Sequence, residues 1–122
     1  GNEPGAKLPK LFYVNWFRKD EDGRFIWPGF GENTRVLKWV LERIAGSTDA
    51  IETPIGMVPK SQDIDISGLD LTSQQLETLL AVDQNEWQEE LSLIRDHYDA
   101  IGERLPSEMT LQLEQLSERL AN

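Results

Sequence analysis

Residues 16–20, Trp16-Phe17-Arg18-Lys19-Asp20, and residues 25–33, Phe25-Ile26-Trp27-Pro28-Gly29-Phe30-Gly31-Glu32-Asn33, carry the decisive reading of this chain. Eight of its ten aromatic residues precede position 40; only Trp87 and Tyr98 follow. Here the rings are interleaved with Gly, Pro and an amide and follow neither a helical nor a strand period. Rings that serve only a core recur along one face of an element. Rings gathered on a Gly-Pro loop point to a slot for something flat.

On the N-terminal side, residues 11–17 are rich in aromatic and β-branched side chains and predict a strand. It is apolar on both faces, so burial under other chain on both sides is expected. Asp22-Gly23 is a hairpin-turn signal, with Phe25-Ile26-Trp27 as the return strand and Pro28-Gly29 ending it. On the C-terminal side, residues 34–45 predict a helix whose apolar stripe is Val36, Leu37, Val40, Leu41 and Ile44. Gly46 is placed to stop it. Residues 49–60 contain Pro54 and Pro59, which allow only an extended or edge-strand reading. Residues 61–71 read as loop.

The remainder is helical in pattern. Residues 72–81 form a short helix with Leu76, Leu79 and Leu80 on one face. Asp83-x-x-Glu86 resembles a capping box. It opens a helix with Trp87, Leu91, Ile94, Tyr98 and Ile101 at alternating four- and three-residue spacing. Pro106 suits the first turn of a last helix, where Met109, Leu113, Leu116 and Leu120 repeat the pattern. These two helices are expected to pair antiparallel through Gly102-Glu103-Arg104-Leu105. The fold class is α+β: predominantly helical, with a short N-terminal β-hairpin and about four helices. Residues 1–60 form a strand, loop and helix segment and residues 61–122 a helical segment of one structural unit.

Composition narrows the function. A length of 122 residues with 39% hydrophobic and 28% charged content fits one soluble globular domain or a piece of a larger one. A net charge of -10 argues against nucleic acid as partner, since phosphate binding needs clustered Lys and Arg. It equally disfavours an anionic membrane surface. No run is long and apolar enough to span a bilayer. Without cysteine there is neither a disulfide nor a thiolate metal site, which fits a reducing compartment.

The aromatic loop has the parts for binding a purine. Rings can clamp the two π faces, each stacked base contributing about 1–3 kcal/mol. Stacking is indifferent to base identity, so selectivity needs a group that reads the edge. Asn33 can both donate and accept, and leaving it unpaired against the wrong base costs about 1–3 kcal/mol. Gly29 and Gly31 let backbone approach a ligand closely. The residues also admit a plainer reading. The Trp-Pro-Gly-Phe turn can plug a core, Asn33 can serve as a helix N-cap, and Glu32 can answer the helix dipole.

The run of residues 8–20, residues 25–35 and Glu52-Thr53-Pro54-Ile55-Gly56 resemble the C-terminal part of the GTP-dependent phosphoenolpyruvate carboxykinases. The resemblance covers nearly the whole chain and is most specific over residues 8–43 and 52–59. It implies part of a nucleotide-binding lobe in an enzyme that converts oxaloacetate and GTP to phosphoenolpyruvate, CO2 and GDP, a cytoplasmic lyase of gluconeogenesis. It also implies Mn2+ at the active site and Mg2+ with the nucleotide. By position, Phe17, Phe25 and Phe30 resemble that family's guanine clamp and Asn33 its edge reader. Trp16 and Trp27 resemble flanking residues, and Gly29 and Gly31 line the slot.

The chain departs from the family in what it lacks. It has no Gly-rich phosphate loop ending in Gly-Lys-Thr or Gly-Lys-Ser and none of the Lys, His and Asp set used for manganese. It is therefore expected to be a C-terminal fragment, inactive alone, whose partners are a guanine nucleotide and the remainder of the parent enzyme. His97, among Asp96 and Asp99, reads as a solvated residue, as do Glu89 and Glu90. Met57 and Met109 read as core filler. Arg18 and Lys19 read as surface ion-pairing groups near the clamp. A reading of another class is a non-catalytic helical interaction module with a structural aromatic core, resting on the leucine stripes and the absent catalytic motifs.

Overall fold

The computed structural model describes residues 3–121. The chain divides into two compact units: one comprises residues up to Ala50 together with Pro59–Leu80, the other Ile51–Val58 and residues from Ala81 onward.

In the first unit the main element is helix α1, Asn33–Ala45, entered through a 3-10 turn at Phe30–Glu32. It ends as its sequence demands. Gly46 adopts φ 74°, its N–H reaching the Arg43 carbonyl at 3.3 Å while the Ser47 N–H reaches that of Glu42 at 3.0 Å. These two bonds occupy carbonyls that the helix leaves over, and the left-handed φ favours glycine. The inward face is narrower than the expected stripe. Trp39 is buried, with Val36 and Val40 packed against the core, whereas Leu37, Leu41 and Ile44 are half or more exposed. A helix whose inward face runs through positions 36, 39 and 40 turns 37, 41 and 44 outward.

Helix α2, Ser73–Leu80, closes over this face. Thr72 and Gln75 exchange hydrogen bonds at its start: the Thr72 N–H donates to Gln75 Oε1 at 2.9 Å, and Thr72 Oγ1 accepts from the Gln75 N–H at 3.2 Å. This is a reciprocal capping box. Between α1 and α2 the loop makes one 3-10 turn, Ser61–Asp63, and sends Ile64 into the core beside Trp39 and Leu76. A second cluster gathers Ile26, Trp27 and Leu71, with Trp16 and Leu69 against it.

The strand expected over residues 11–17 does not form. Leu11 and Tyr13 are 90% and 94% exposed. Of the expected hairpin only one antiparallel bridge remains, between Lys19 and Phe25. Its turn is nevertheless present: Gly23 has φ 79°, and the Asp20 N–H reaches the Arg24 carbonyl at 2.9 Å. An extended segment becomes a strand only when a neighbour takes up its N–H and C=O groups. No described strand runs alongside residues 11–17.

In the second unit the only regular sheet among the described residues is the antiparallel pair β1, Ile51–Thr53, and β2, Gly56–Val58, in the register Ile51↔Val58, Glu52↔Met57, Thr53↔Gly56. Pro54 lies in the connecting turn and Pro59 just beyond β2, so neither removes a donor from the ladder. The Arg119 guanidinium donates to the Pro54 carbonyl at 2.7 Å. Helix α3, Gln84–Ile101, packs on α4, Ser107–Ala121, through Leu91, Leu113 and Leu120, with Trp87, Ile94, Tyr98 and Leu116 around them. The side chain of Asp83 caps α3 by accepting from the N–H groups of Asn85 and Glu86. A 3-10 turn at Gly102–Arg104 joins the pair. Met109 and Met57 are exposed and are not core filler. The core of the pair is built from branched side chains instead, which hold fewer rotamers than Met.

Candidate functional site

Three ring pairs are described in the first unit: Phe12 with Trp39, centroids 6.1 Å apart, Phe17 with Phe25, and Trp16 with Trp27. Phe17 and Phe25 meet edge to face, their centroids 5.9 Å apart and their planes at 66°. Both stay largely exposed, at 70% and 59%. The bridge between Lys19 and Phe25 brings the two ends of the charged turn together, and Phe17 lies two residues before it. Asn15 Oδ1 accepts the Phe17 N–H at 2.9 Å and fixes the backbone just ahead of that ring. The Lys19 ammonium stands 5.2 Å from the Phe25 centroid, a cation–π contact. Lys19 thus sits on a ring instead of serving only as a surface ion pair.

Trp16 and Trp27 form another pair, with centroids 6.0 Å apart. Trp27 is buried and its indole Nε1–H donates to Asn33 Oδ1 at 2.8 Å. Asn33 is therefore not a side-chain N-cap. Its carboxamide turns back onto the loop, and the cap position falls to Glu32, whose side chain makes no capping bond. Glu32 instead receives the Arg35 Nε–H at 2.7 Å.

Phe30 opens the 3-10 turn and is 90% exposed, with no aromatic contact to Phe17 or Phe25 among the described residues. The structure thus brings Phe17 to Phe25 and Trp27 to Asn33, and leaves Phe30 projecting from the same loop. Gly29 has φ 124°, which a side chain would strain, while a Cβ at Gly29 or Gly31 would meet nothing within 4 Å. Gly29 is required for backbone conformation, and space at Gly31 is open.

Arg35 is a positioning residue that the motif reading passed over. Besides Glu32, it donates to the Asp65 carbonyl at 2.8 Å, tying the turn that carries Phe30 to the loop before α2. Its spacing from Glu32 was a visible signal; its partner thirty residues on was not. The Asp65 carboxyl is held below the ordinary carboxylate value by the Ser67 hydroxyl, then by the Ser67 N–H, with Arg35 contributing.

Two hollows in this unit lie elsewhere. One, of about 720 Å³, is lined by Lys38, Gln62, Asp65, Ser73 and Glu77 among others. The other, of about 400 Å³, is lined by Asp20, Asp22, Thr72 and Gln75 among others. Neither contains Phe17, Phe25, Phe30 or Asn33, and neither offers a ring face. Phe17, Phe25 and Phe30 lie instead on the exposed surface. His97 is exposed, and among the described residues no three His, Asp or Glu side chains gather to hold a metal ion.

In chemical class this is a loop of exposed aromatic rings carrying an anchored amide, mounted where the loop enters a helix. Over residues 1–119 the chain matches the phosphoenolpyruvate carboxykinase C-terminal P-loop domain, and it belongs to that family. It is 51% identical over 122 residues to the phosphoenolpyruvate carboxykinase [GTP] of Arthrobacter sp. strain FB24, covering 100% of this chain and 20% of that protein. It is 52% identical over 114 residues to that of Renibacterium salmoninarum, with 93% of this chain and 19% of that protein covered. A relative from Neocallimastix frontalis, named likewise, is 48% identical over 116 residues, with 94% and 19% covered. The chain thus spans about a fifth of the length of these relatives.

Proposed function

We propose that this chain is the guanine-binding part of a larger GTP-dependent carboxykinase, which converts oxaloacetate and GTP to phosphoenolpyruvate, CO2 and GDP. The observation that carries the reading is the Asn33 amide anchored on Trp27, in the same loop that carries the exposed Phe25 and Phe30 rings, with Phe17 against Phe25, in a chain of this family. The rings supply stacking surface and the amide supplies the edge contact. We assign these contacts to residues 1–60. Leu71, in the loop before α2, backs Trp27. The bound partners are the guanine nucleotide and the rest of the enzyme.

Manganese and magnesium, when bound in that enzyme, would neutralise charge on the transferred phosphoryl group. Among the described residues of this chain no three His, Asp or Glu side chains gather to hold either ion. The chain's own task is to hold the base so that the phosphates lie in register with groups elsewhere in the enzyme. Isolated, it is proposed to be inactive. A cytoplasmic location and a role in gluconeogenesis belong to the same proposal. The rival reading, a helical interaction module, relied on leucine stripes, which α3 and α4 use against each other.

In the full-length enzyme, GDP should perturb the emission of Trp16 and Trp27, and ADP should not. Replacement of Asn33 by Ala should narrow the preference for GTP over ATP about tenfold, the cost of an unpaired buried partner. Emission blind to both nucleotides, with an unaltered GTP preference in the variant, would refute the assignment.

A further inference from the structure

Every carboxamide can face a neighbour in either of two ways, and its shape scarcely distinguishes them. At Asn33 the surroundings do. We propose that Trp27 is a positioning residue for base selection: its indole N–H holds the Asn33 oxygen inward, so that only the NH2 group is left to meet the purine. This rests on the guanine reading of the site and adds to it the cause of the amide's orientation.

The indole nitrogen can only donate. It lies 2.8 Å from Asn33 Oδ1. Reversing the amide would set NH2 against N–H, leaving two donors facing and both unpaired. Trp27 cannot easily swing aside to permit this. It is 7% exposed, packed with Ile26 and Leu71, and backed by Trp16 at 6.0 Å. Nor can Asn33 retreat, since its backbone N–H is bonded to the Phe30 carbonyl and its φ and ψ, -60° and -25°, are helical. Among the described residues the Asn33 side chain has no other hydrogen bond, so Nδ2 and its two hydrogens remain for a ligand.

A fixed donor sorts purines by the group they carry beside N1. Guanine and hypoxanthine present a carbonyl oxygen there, which accepts. Adenine presents an amine, which places donor against donor. An unlocked amide would serve either base by rotating. The lock, and not the presence of an amide, is therefore the source of discrimination.

The test uses the full-length enzyme with GTP, ITP and ATP as substrates. Trp27→Phe keeps an aromatic ring in place and deletes the N–H. The amide is then divided between two orientations, so kcat/KM for GTP and ITP should fall only about twofold. ATP should gain, and the GTP-to-ATP ratio should fall about tenfold or more. A merely structural Trp27 would lower all three substrates together and leave the ratio untouched; that result overturns the proposal.

Asn33→Asp provides a second arm should Trp27→Phe not fold. It keeps an acceptor for the indole but has no donor to offer, so GTP and ITP should lose their advantage over ATP. Retention of the parent ratio in Asn33→Asp overturns the proposal as well. Asn33→Ala separates the two levels of inference. If it leaves the ratio unchanged, Asn33 does not read the base, and both the guanine reading and the lock fail. If it abolishes the ratio while Trp27→Phe preserves it, the lock alone fails.

Discussion

Phe30 offers the sharpest separation of binding from folding in this chain. Its ring is 90% exposed and touches no other aromatic residue described, so Phe30→Ala removes little that the fold uses. Surface substitutions of this kind stay within about 0.5 kcal/mol of the parent stability. If the ring stacks on a base, its loss should cost about 1–3 kcal/mol of binding, roughly a 5- to 150-fold rise in KM for GTP. The turnover number should be nearly retained, because stacking far from the phosphates acts on bound substrate and transition state alike. Phe25→Ala makes the control. Phe25 holds Phe17 at 5.9 Å and carries Lys19 at 5.2 Å, so its removal should lower stability as well as GTP affinity. The edge-to-face contact alone is of order 0.5–1.5 kcal/mol. Steady-state kinetics with GTP, set beside urea unfolding of the same full-length preparations, reads both quantities. Phe30→Ala with an unchanged KM for GTP and an unchanged unfolding curve would show a ring that touches neither base nor protein, and the reasoning would be refuted.

Leu91 is wholly buried between α3 and α4, so Leu91→Ala should cost about 2–5 kcal/mol in unfolding experiments; a loss below about 1 kcal/mol would mean that the pair is not packed as described. Gly46→Ala should cost about 1–2 kcal/mol although a Cβ there meets nothing within 4 Å, because the penalty lies wholly in φ 74°; a neutral result in the same assay would deny the left-handed cap. Asp65 should titrate below the ordinary carboxylate range in an NMR pH series. Since its folded value is lowered, the stabilisation is present above that range and is lost as pH falls through the lowered value. Ser67→Ala should raise the midpoint, and a midpoint that stays put would exclude the Ser67 hydroxyl as its main cause.

Local chemistry was the most legible part of this chain. Gly46 ends α1 because a left-handed residue is needed where spare carbonyls must be closed, and glycine adopts it without strain. Asp83 starts α3 because its carboxylate can reach two N–H groups of the first turn. The four- and three-residue spacing of Trp87, Leu91, Ile94 and Tyr98 on α3, and of Leu113, Leu116 and Leu120 on α4, brings the two helices together, since both stripes need a partner and a short turn supplies one. The aromatic loop was recognisable as unusual from its composition, and Phe17 and Phe25 do meet.

What failed to show in the sequence depends on groups remote along the chain. Residues 11–17 have the composition of a strand, but a strand exists only through a second segment's hydrogen bonds, and the described chain holds none beside them. The regular sheet instead lies at Ile51–Thr53 and Gly56–Val58, where Pro54 makes the turn and Pro59 closes the end.

Caps, turns and the inward faces of α3 and α4 were thus settled one segment at a time, because each depends on neighbours within a few positions. The three-dimensional arrangement alone assigned Trp39 to the core, tied Arg35 to Asp65 and turned the Asn33 oxygen toward Trp27. Each of these depends on distance and direction between side chains, and a hydrogen bond requires both to be right at once.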